Sequence, residues 1–247
     1  MNVFGLIGRT LKHSFSKKYF TDRFEDESRI DSEYHLFELD TIDKFPQLIS
    51  KFSSELKGLN VTIPYKKEVM AFLDELDENA RIIEAVNTIT ISPNGKLKGY
   101  NTDYIGFKNA ISEWDLINKK ALVLGTGGAS NAVRKVLTDL NIEFLMVSRS
   151  KSEHTITYDE ISVNPDLLSS HQIIINTTPL GTYPDIEGIP NLPYDVLTDQ
   201  HLLFDLVYNP EVTAFLQKGL DAGSQIKNGY AMLVGQAEAS WEIWNNK

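Results

Sequence analysis

The sequence predicts an α/β protein in two domains, and three observations carry that prediction. Residues 121–124 are a short apolar run that ends at Gly125, and Gly127 and Gly128 follow before a helical pattern over 131–140. A strand, a glycine turn and a helix in that order can cradle a phosphate, because a helix N-terminus offers unpaired N–H groups and the positive end of a dipole. Short apolar runs alternate with segments of helical period on both sides of this turn. The chain has 247 residues, 42% of them hydrophobic, which suits one large core or two modest ones.

Composition removes several function classes. The formal net charge is -10 and no basic run occurs, which argues against a nucleic-acid partner. With no cysteine there is no disulfide, thiol nucleophile or thiolate zinc site. The five histidines show no paired spacing, so no metal site is expected. No run approaches the ~20 apolar residues of a membrane span, and the first ten residues are too short an apolar stretch for a secretion signal. A soluble cytoplasmic protein with no membrane partner is the expectation.

In chain order, residues 3–7 read as a strand that ends at Gly8. A loop with Ser14 and Ser16 then leads into a helix over 17–24. Ser16 is the expected N-cap, and both hydroxyls could instead face a polar ligand. Strands are expected at 34–39 and 56–62, with a helix between them marked by Ile42, Phe45, Leu48, Ile49 and Phe52. Residues 63–67 should open another helix, where Lys66 and Lys67 sit badly against the helix dipole. Lys67 reads as solvated, and Lys66 as the more interesting of the two. Pro93-Asn94-Gly95 predicts a hairpin joining 87–91 to 96–100. A helix bearing Ile105, Phe107, Ala110, Ile111 and Trp114 follows, which Thr102 or Asp103 could cap.

The second half starts near Tyr104 with no flexible linker. The glycine pattern is G-x-G-x-x-S, with Ser130 at the third glycine position. Gly125 permits the tight turn, and Gly127 lets backbone approach a pyrophosphate without a Cβ in the way. A strand at 144–147 runs into Ser148-Arg149-Ser150-Lys151. An acid near this point would hold the ribose hydroxyls of NAD; Arg149 and Lys151 stand there instead, which favours NADP. Further strands are expected at 173–176, 202–207 and 226–227. Helices are expected from Glu211 to Leu220 and along Met232, Leu233, Gln236, Ala239 and Ile243.

Taken together the motifs resemble the shikimate dehydrogenase family. They are His13-Ser14-x-Ser16, Gly58-x-Asn60-Val61-Thr62-x-Pro64-x-Lys66, Ala85-Val86-Asn87-Thr88, Gly99-x-Asn101-Thr102-Asp103-x-x-Gly106 and Gly125-x-Gly127-Gly128-Ala129. Asn176-Thr177-Thr178-Pro179-x-Gly181, Asp205-x-Val207-Tyr208-x-Pro210 and Gly229-x-x-Met232-Leu233-Val234-x-Gln236-Ala237 complete the series. The order is kept across nearly the whole chain. Departures are Lys17 and Phe20 where the family often has Pro and His, Ser148 where Asn is usual, and Thr182 where Met is common.

The resemblance implies NADP-dependent interconversion of 3-dehydroshikimate and shikimate. It implies a substrate-binding catalytic domain of residues 1–103, completed by 230–247, and a Rossmann-type NADP domain of residues 104–229, with the C-terminal helix returning to the first domain and the site in the cleft. Lys66 and Asp103 would be catalytic. Ser14, Ser16, Thr62, Asn87 and Gln236 would bind substrate, with Tyr208 beside the nicotinamide. Gly125, Thr126, Gly127, Gly128, Ala129, Ser148, Arg149, Ser150, Thr177 and Gly229 would hold NADP. The chain would act on its small-molecule substrate as a monomer or homodimer. A quinate-specific relative and a catalytically silent sensing module are the alternatives.

Overall fold

The computed structural model describes residues 1–12, 14–52 and 54–245. The chain divides into two compact units. One comprises Met1–Ile105 with Gln236–Lys247, and the other is Gly106–Gly235.

The first unit is built on a six-stranded sheet of β1 (Asn2–Gly8), β2 (Ser32–Glu38), β3 (Leu56–Val61), β4 (Glu75–Leu76), β5 (Thr88–Ile91) and β6 (Leu97–Tyr100). Their order is β2-β1-β3-β5-β6-β4. The pairs of β1 with β2 and β3 are parallel, so each needs a crossover. Helix α1 (Phe15–Asp26) makes the first. A 3₁₀ turn, Ile42–Lys44, and α2 (Phe45–Lys51) make the second. β5 and β6 form the expected antiparallel hairpin. Gly95 at its tip has φ 83°, a conformation that favours glycine. Between β4 and β5 lies α3 (Glu78–Ile83).

Apolar residues fill both faces of this sheet. Val3, Ile7, Leu59, Val61 and Ile89 face a core completed by Phe45 and Leu48. Phe4 and Leu6 face Phe20 and Phe24 of α1 and Trp241 and Trp244 of the last helix, α9 (Tyr230–Asn245). Trp244 lies flat on Gly58, where an added Cβ would come within 2.3 Å of the indole nitrogen. That nitrogen donates to the Ile89 carbonyl at 3.1 Å. A strand glycine and two C-terminal tryptophans thus fix the end of α9 onto the first sheet.

The second unit holds β7 (Ala121–Leu124), β8 (Phe144–Ser148), β9 (Thr155–Thr157), β10 (Ile173–Asn176), β11 (Leu202–Asp205) and β12 (Gln225–Asn228). All pair in parallel, in the order β12-β11-β10-β7-β8-β9. This is the doubly wound 3-2-1-4-5-6 order, whose ligands bind at the carboxyl ends of the strands where the order reverses, here between β7 and β10. The central strands are buried along their whole length, which is why they read as unbroken runs rather than alternating ones. Crossovers are α5 (Gly128–Asp139), α6 (Tyr158–Val163), α7 (Asp166–Ser169) and α8 (Ala214–Asp221); α4 (Thr102–Ala110) spans the division between the units.

Several local expectations are corrected. α1 begins at Phe15, so its N-cap is Ser14 and not Ser16; the Ser14 hydroxyl accepts from Lys17 N at 3.2 Å. No α-helix follows Pro64. Tyr65 is wholly buried and donates to the Leu39 carbonyl at 2.6 Å, and the chain makes only a 3₁₀ turn, Glu68–Phe72. α5 begins at Gly128 instead of Asn131. α8 begins at Ala214, because Thr213 caps it, instead of Glu211. β4, β9, α6 and α7 gave no periodic signal, being two to six residues long and mostly half-exposed.

Candidate functional site

In the first unit, Lys66 follows β3 and Asp103 lies in the first turn of α4. Lys66 Nζ donates to Asp103 Oδ2 at 2.6 Å. Their side chains are 29% and 16% exposed, whereas Lys67 pairs with Glu84 at 75% and 63%. Only the first pair is held in a partly dry setting. Asp103 is not a helix cap: Asn101 takes that role by accepting from Tyr104 N at 3.2 Å. Asp103 is therefore free to bind elsewhere, and Asn87 Nδ2 donates to its Oδ1 at 3.0 Å.

The Asn87 amide has only one orientation that satisfies its neighbours. Its Oδ1 accepts from Thr102 N at 2.7 Å and from Thr102 Oγ1 at 3.1 Å, so its Nδ2 must face Asp103. A buried cluster lies behind it. Ser240 Oγ meets Thr88 Oγ1 at 2.7 Å, Asn60 Nδ2 at 3.0 Å and Thr102 Oγ1 at 3.2 Å. Ser240 itself donates to the Gln236 carbonyl one turn earlier on α9 at 2.8 Å. Tyr34, fully buried, donates to Asn60 Oδ1 at 2.8 Å and pairs with Ser16; burial pushes its phenol well above the ordinary tyrosine value. Hydrogen-bonded side chains thus run from Ser16 in the first turn of α1 to Asp103. Neither Ser240 nor Tyr34 stands out in the sequence, since an isolated hydroxyl carries no spacing signal. Thr62 is half-buried beside Gly8, and its N–H donates to the Ile7 carbonyl at 2.9 Å. His13 lies outside the described residues.

In the second unit, the turn after β7 is open. Residues Thr126, Gly127, Gly128 and Ala129 are all exposed. Gly125 has φ 101°, and a Cβ there would stand 2.9 Å from Thr177 Oγ1 and from the Thr178 methyl. Gly127 is the N-cap of α5 and supplies no side-chain cap. Ser130, at the third glycine position, is buried and donates to the Gly127 carbonyl at 2.7 Å, which ties the turn. Thr177 Oγ1 is spent on the Leu124 carbonyl at 2.7 Å.

Past β8, Ser148 Oγ accepts from Ser150 N at 3.4 Å. Lys151 is occupied by Glu160, while Arg149 is exposed and makes no ion pair among the described residues. A cavity of about 410 Å³ opens beside the turn, lined by Thr126, Asn131, Arg134, Met146, Glu153 and His154. Gly229 is buried, and an added Cβ would stand 2.1 Å from the Leu206 carbonyl oxygen. Packing alone requires that glycine. Tyr208 is 40% exposed in the same unit. The structure therefore brings Lys66, Asp103 and Asn87 into contact in the first unit and gathers Gly125 with Thr177 in the second. Among the described residues no cluster of three or more acidic, histidine or cysteine side chains could hold a metal ion, and no helix is long and apolar enough to cross a membrane.

Comparison with known proteins follows the same lines. The family model for the shikimate dehydrogenase substrate binding domain matches residues 6–89. A shikimate dehydrogenase (NADP(+)) of Clostridium beijerinckii is 40% identical over 99% of this chain and 92% of its own length. The chain belongs to the shikimate dehydrogenase family. A chorismate mutase/shikimate 5-dehydrogenase fusion protein from Clostridium acetobutylicum superposes with a TM-score of 0.87 at 39% identity, covering 100% of this chain and 92% of the other. The shikimate 5-dehydrogenase of Thermus thermophilus in complex with NADP(H) and shikimate gives a TM-score of 0.82 at 26% identity, covering 100% and 94%.

The residues present fit a dinucleotide of this family. An added Cβ at Gly127 or Gly128 would meet no protein atom within 4 Å. No packing within the protein explains those two glycines, whereas a pyrophosphate laid on the N-terminus of α5 does.

Proposed function

We propose that this chain catalyses the reversible NADPH-dependent reduction of 3-dehydroshikimate to shikimate, a step toward chorismate and the aromatic amino acids. The observation that carries the reading is the Lys66–Asp103 pair, oriented by Asn87 and held in a partly buried setting that no packing need explains. Reduction of a ketone builds negative charge on its oxygen, which a positioned cationic acid stabilises. Lys66 hydrogen-bonds that oxygen and gives it a proton. In the reverse direction Lys66 takes the hydroxyl proton, while Asp103 fixes its position.

Ser14 and Ser16 hold the substrate carboxylate. Thr62, Asn87, Gln236 and Tyr208 read the ring hydroxyls, and a site built for hydroxyls rejects analogues that lack them. NADP(H), when bound, supplies or accepts the hydride. Gly125, Thr126, Gly127, Gly128 and Ala129 hold its pyrophosphate with Thr177 alongside. Ser148, Arg149 and Ser150 hold the 2′-phosphate end, and Gly229 lies by the nicotinamide. Arg149 makes no ion pair among the described residues, whereas Lys151 is paired with Glu160. Residues 1–103 with 230–247 form the catalytic half, and 104–229 the cofactor half.

The reaction belongs in the cytoplasm, since both reactants are charged small molecules that do not cross a membrane unaided. A monomer or homodimer suffices, as one chain carries the whole set of residues. The test is direct. Purified protein with shikimate and NADP⁺ should generate reduced nicotinamide, with NAD⁺ and with quinate in place of shikimate giving much less. No reduction with shikimate and either cofactor would refute the reading.

A further inference from the structure

Asp205 is the last residue of β11 and is wholly buried, and the chemistry above does not use it. Its carboxyl accepts three hydrogen bonds. Thr213 Oγ1 donates to Oδ2 at 2.6 Å, and Asn176 Nδ2 and Val207 N both donate to Oδ1 at 3.0 Å. Burial pushes the carboxyl up to about 6, against the pull of those donors. A carboxylate kept at such a cost is poor scaffolding, since an apolar residue of like size would fill the space with less penalty.

The donors come from two places at the carboxyl end of the sheet: Asn176 at the end of β10, and Val207 and Thr213 at the two ends of the β11–α8 loop. With Asn176 Nδ2 committed to Asp205, its Oδ1 turns to accept from Thr178 N at 3.0 Å and from Thr178 Oγ1 at 2.7 Å. Thr178 and Thr177 are the residues a Cβ at Gly125 would strike, so this branch reaches the glycine turn. Val207 precedes Tyr208, and its carbonyl accepts from Gly229 N at 3.2 Å. The intervening Leu206 carbonyl is the atom pressed against Gly229. Thr213, besides donating to Asp205, accepts from Leu216 N at 3.2 Å and starts α8.

We propose that Asp205 is a positioning residue for cofactor binding, which sets the glycine turn and the Tyr208–Gly229 loops in register with each other through Asn176, Val207 and Thr213. This rests on the second unit being the NADP-binding half. The pyrophosphate and the nicotinamide end of one extended ligand must be met at once, so a shift of one loop against the other weakens binding although every contacting residue is still present.

The test is titration of NADPH fluorescence on Asp205→Ala, Asp205→Asn and Thr213→Val, with thermal unfolding to establish that each is folded. Binding by the unmutated protein tests the cofactor reading by itself, and the comparison among variants tests Asp205. Asp205→Ala should weaken NADPH binding about 10-fold or more and lower kcat, with KM for shikimate at saturating NADP⁺ unchanged; loss of one strong hydrogen bond is about that large. Asp205→Asn keeps an acceptor facing Asn176 and Val207, and should recover most of the lost affinity. Thr213→Val is nearly isosteric, cuts the Oδ2 bond together with the cap on Leu216 N, and decides the matter if Asp205→Ala does not fold; it should weaken NADPH binding about threefold. A folded Asp205→Ala that binds NADPH within twofold of the unmutated protein overturns the proposal. So does Asp205→Asn as poor as Asp205→Ala, or Thr213→Val with unchanged affinity where the alanine variant is unfolded.

Discussion

Replacing Gly127 with alanine should damage cofactor binding and leave the fold almost untouched. Its backbone, at φ −75° and ψ 174°, is open to any residue, and a Cβ there meets nothing within 4 Å. Alanine in place of glycine restricts the unfolded chain, which stabilises by about 0.4–1 kcal/mol. It is also a worse N-cap than glycine, by roughly 0.5–1 kcal/mol. The two effects nearly cancel, so Tm should move by no more than about 2 °C for a chain of this size. In the complex the new methyl occupies space the pyrophosphate needs. Overpacking of that kind costs about 1–3 kcal/mol, or roughly 5- to 150-fold in Kd. Gly125→Ala reverses the pattern. Its φ of 101° is strained for an L-residue, and its Cβ would press on Thr177 and Thr178, so stability itself should fall by about 1–3 kcal/mol. The assay is calorimetric NADP⁺ binding beside thermal unfolding for both variants. If Gly127→Ala binds NADP⁺ with unmutated affinity, the open side of the turn is not where the cofactor lies.

Three further outcomes follow from the geometry. Lys66→Ala should lower turnover about 10²- to 10⁴-fold with NADPH affinity kept, and Lys67→Ala should do little because its partner Glu84 is solvated; equal losses in steady-state kinetics would point to general electrostatics. Ser14→Ala and Ser16→Ala should both raise KM for shikimate, but only Ser14→Ala should also cost about 1 kcal/mol in denaturant unfolding, since Ser14 is the cap of α1. For pH, Asp205 is raised from 3.8 to about 6, so its contribution is full below about 4 and is lost as pH rises through about 6. Two units at 1.36 kcal/mol each put this at no more than about 3 kcal/mol. The unmutated protein should therefore lose stability relative to Asp205→Asn between pH 4 and 7 in urea titrations, and a constant difference would contradict the burial argument. His171 and His201 act in the opposite sense: burial lowers both, each has an Nε2 with no hydrogen-bond partner among the described residues, and their cost appears as pH falls below about 6.5.

The second unit was the more legible half. Ile173-Ile174-Ile175 and Leu202-Leu203-Phe204 are unbroken because both faces of a parallel sheet are covered, and that pattern cannot be mistaken for an exposed edge. Thr155–Thr157 carries no such mark, for the converse reason. It is a three-residue edge strand with every side chain half-exposed, so no period marks it. The capping box of Thr157 with Glu160 was the one usable sign of the helix that follows. In the first unit, Pro64 correctly ended a strand but led to an expected helix that the buried Tyr65 forbids. A side chain that must reach the Leu39 carbonyl fixes the backbone against the local pattern, and nothing near Tyr65 in the sequence announces Leu39.

At the site, residue type carried further than position. Ser16 is the cap the sequence favours, and a shift of two residues in the start of α1 is enough to give that role to Ser14. The glycines show the same limit. Gly127 and Gly229 look alike in a sequence, yet one faces empty space and the other is forced by a carbonyl 2.1 Å from its absent Cβ. Only the first has no reason within the protein to be glycine. Asp205 belongs with them. It stands in the same motif as Tyr208, but with three donors on its oxygens and no exposure it faces the interior. Its effect on a ligand can pass only through the loops it holds. A motif therefore mixes residues that touch ligand with residues that hold the touching residues in place, and what separates them is the direction of each side chain, which the fold fixes through contacts remote in sequence.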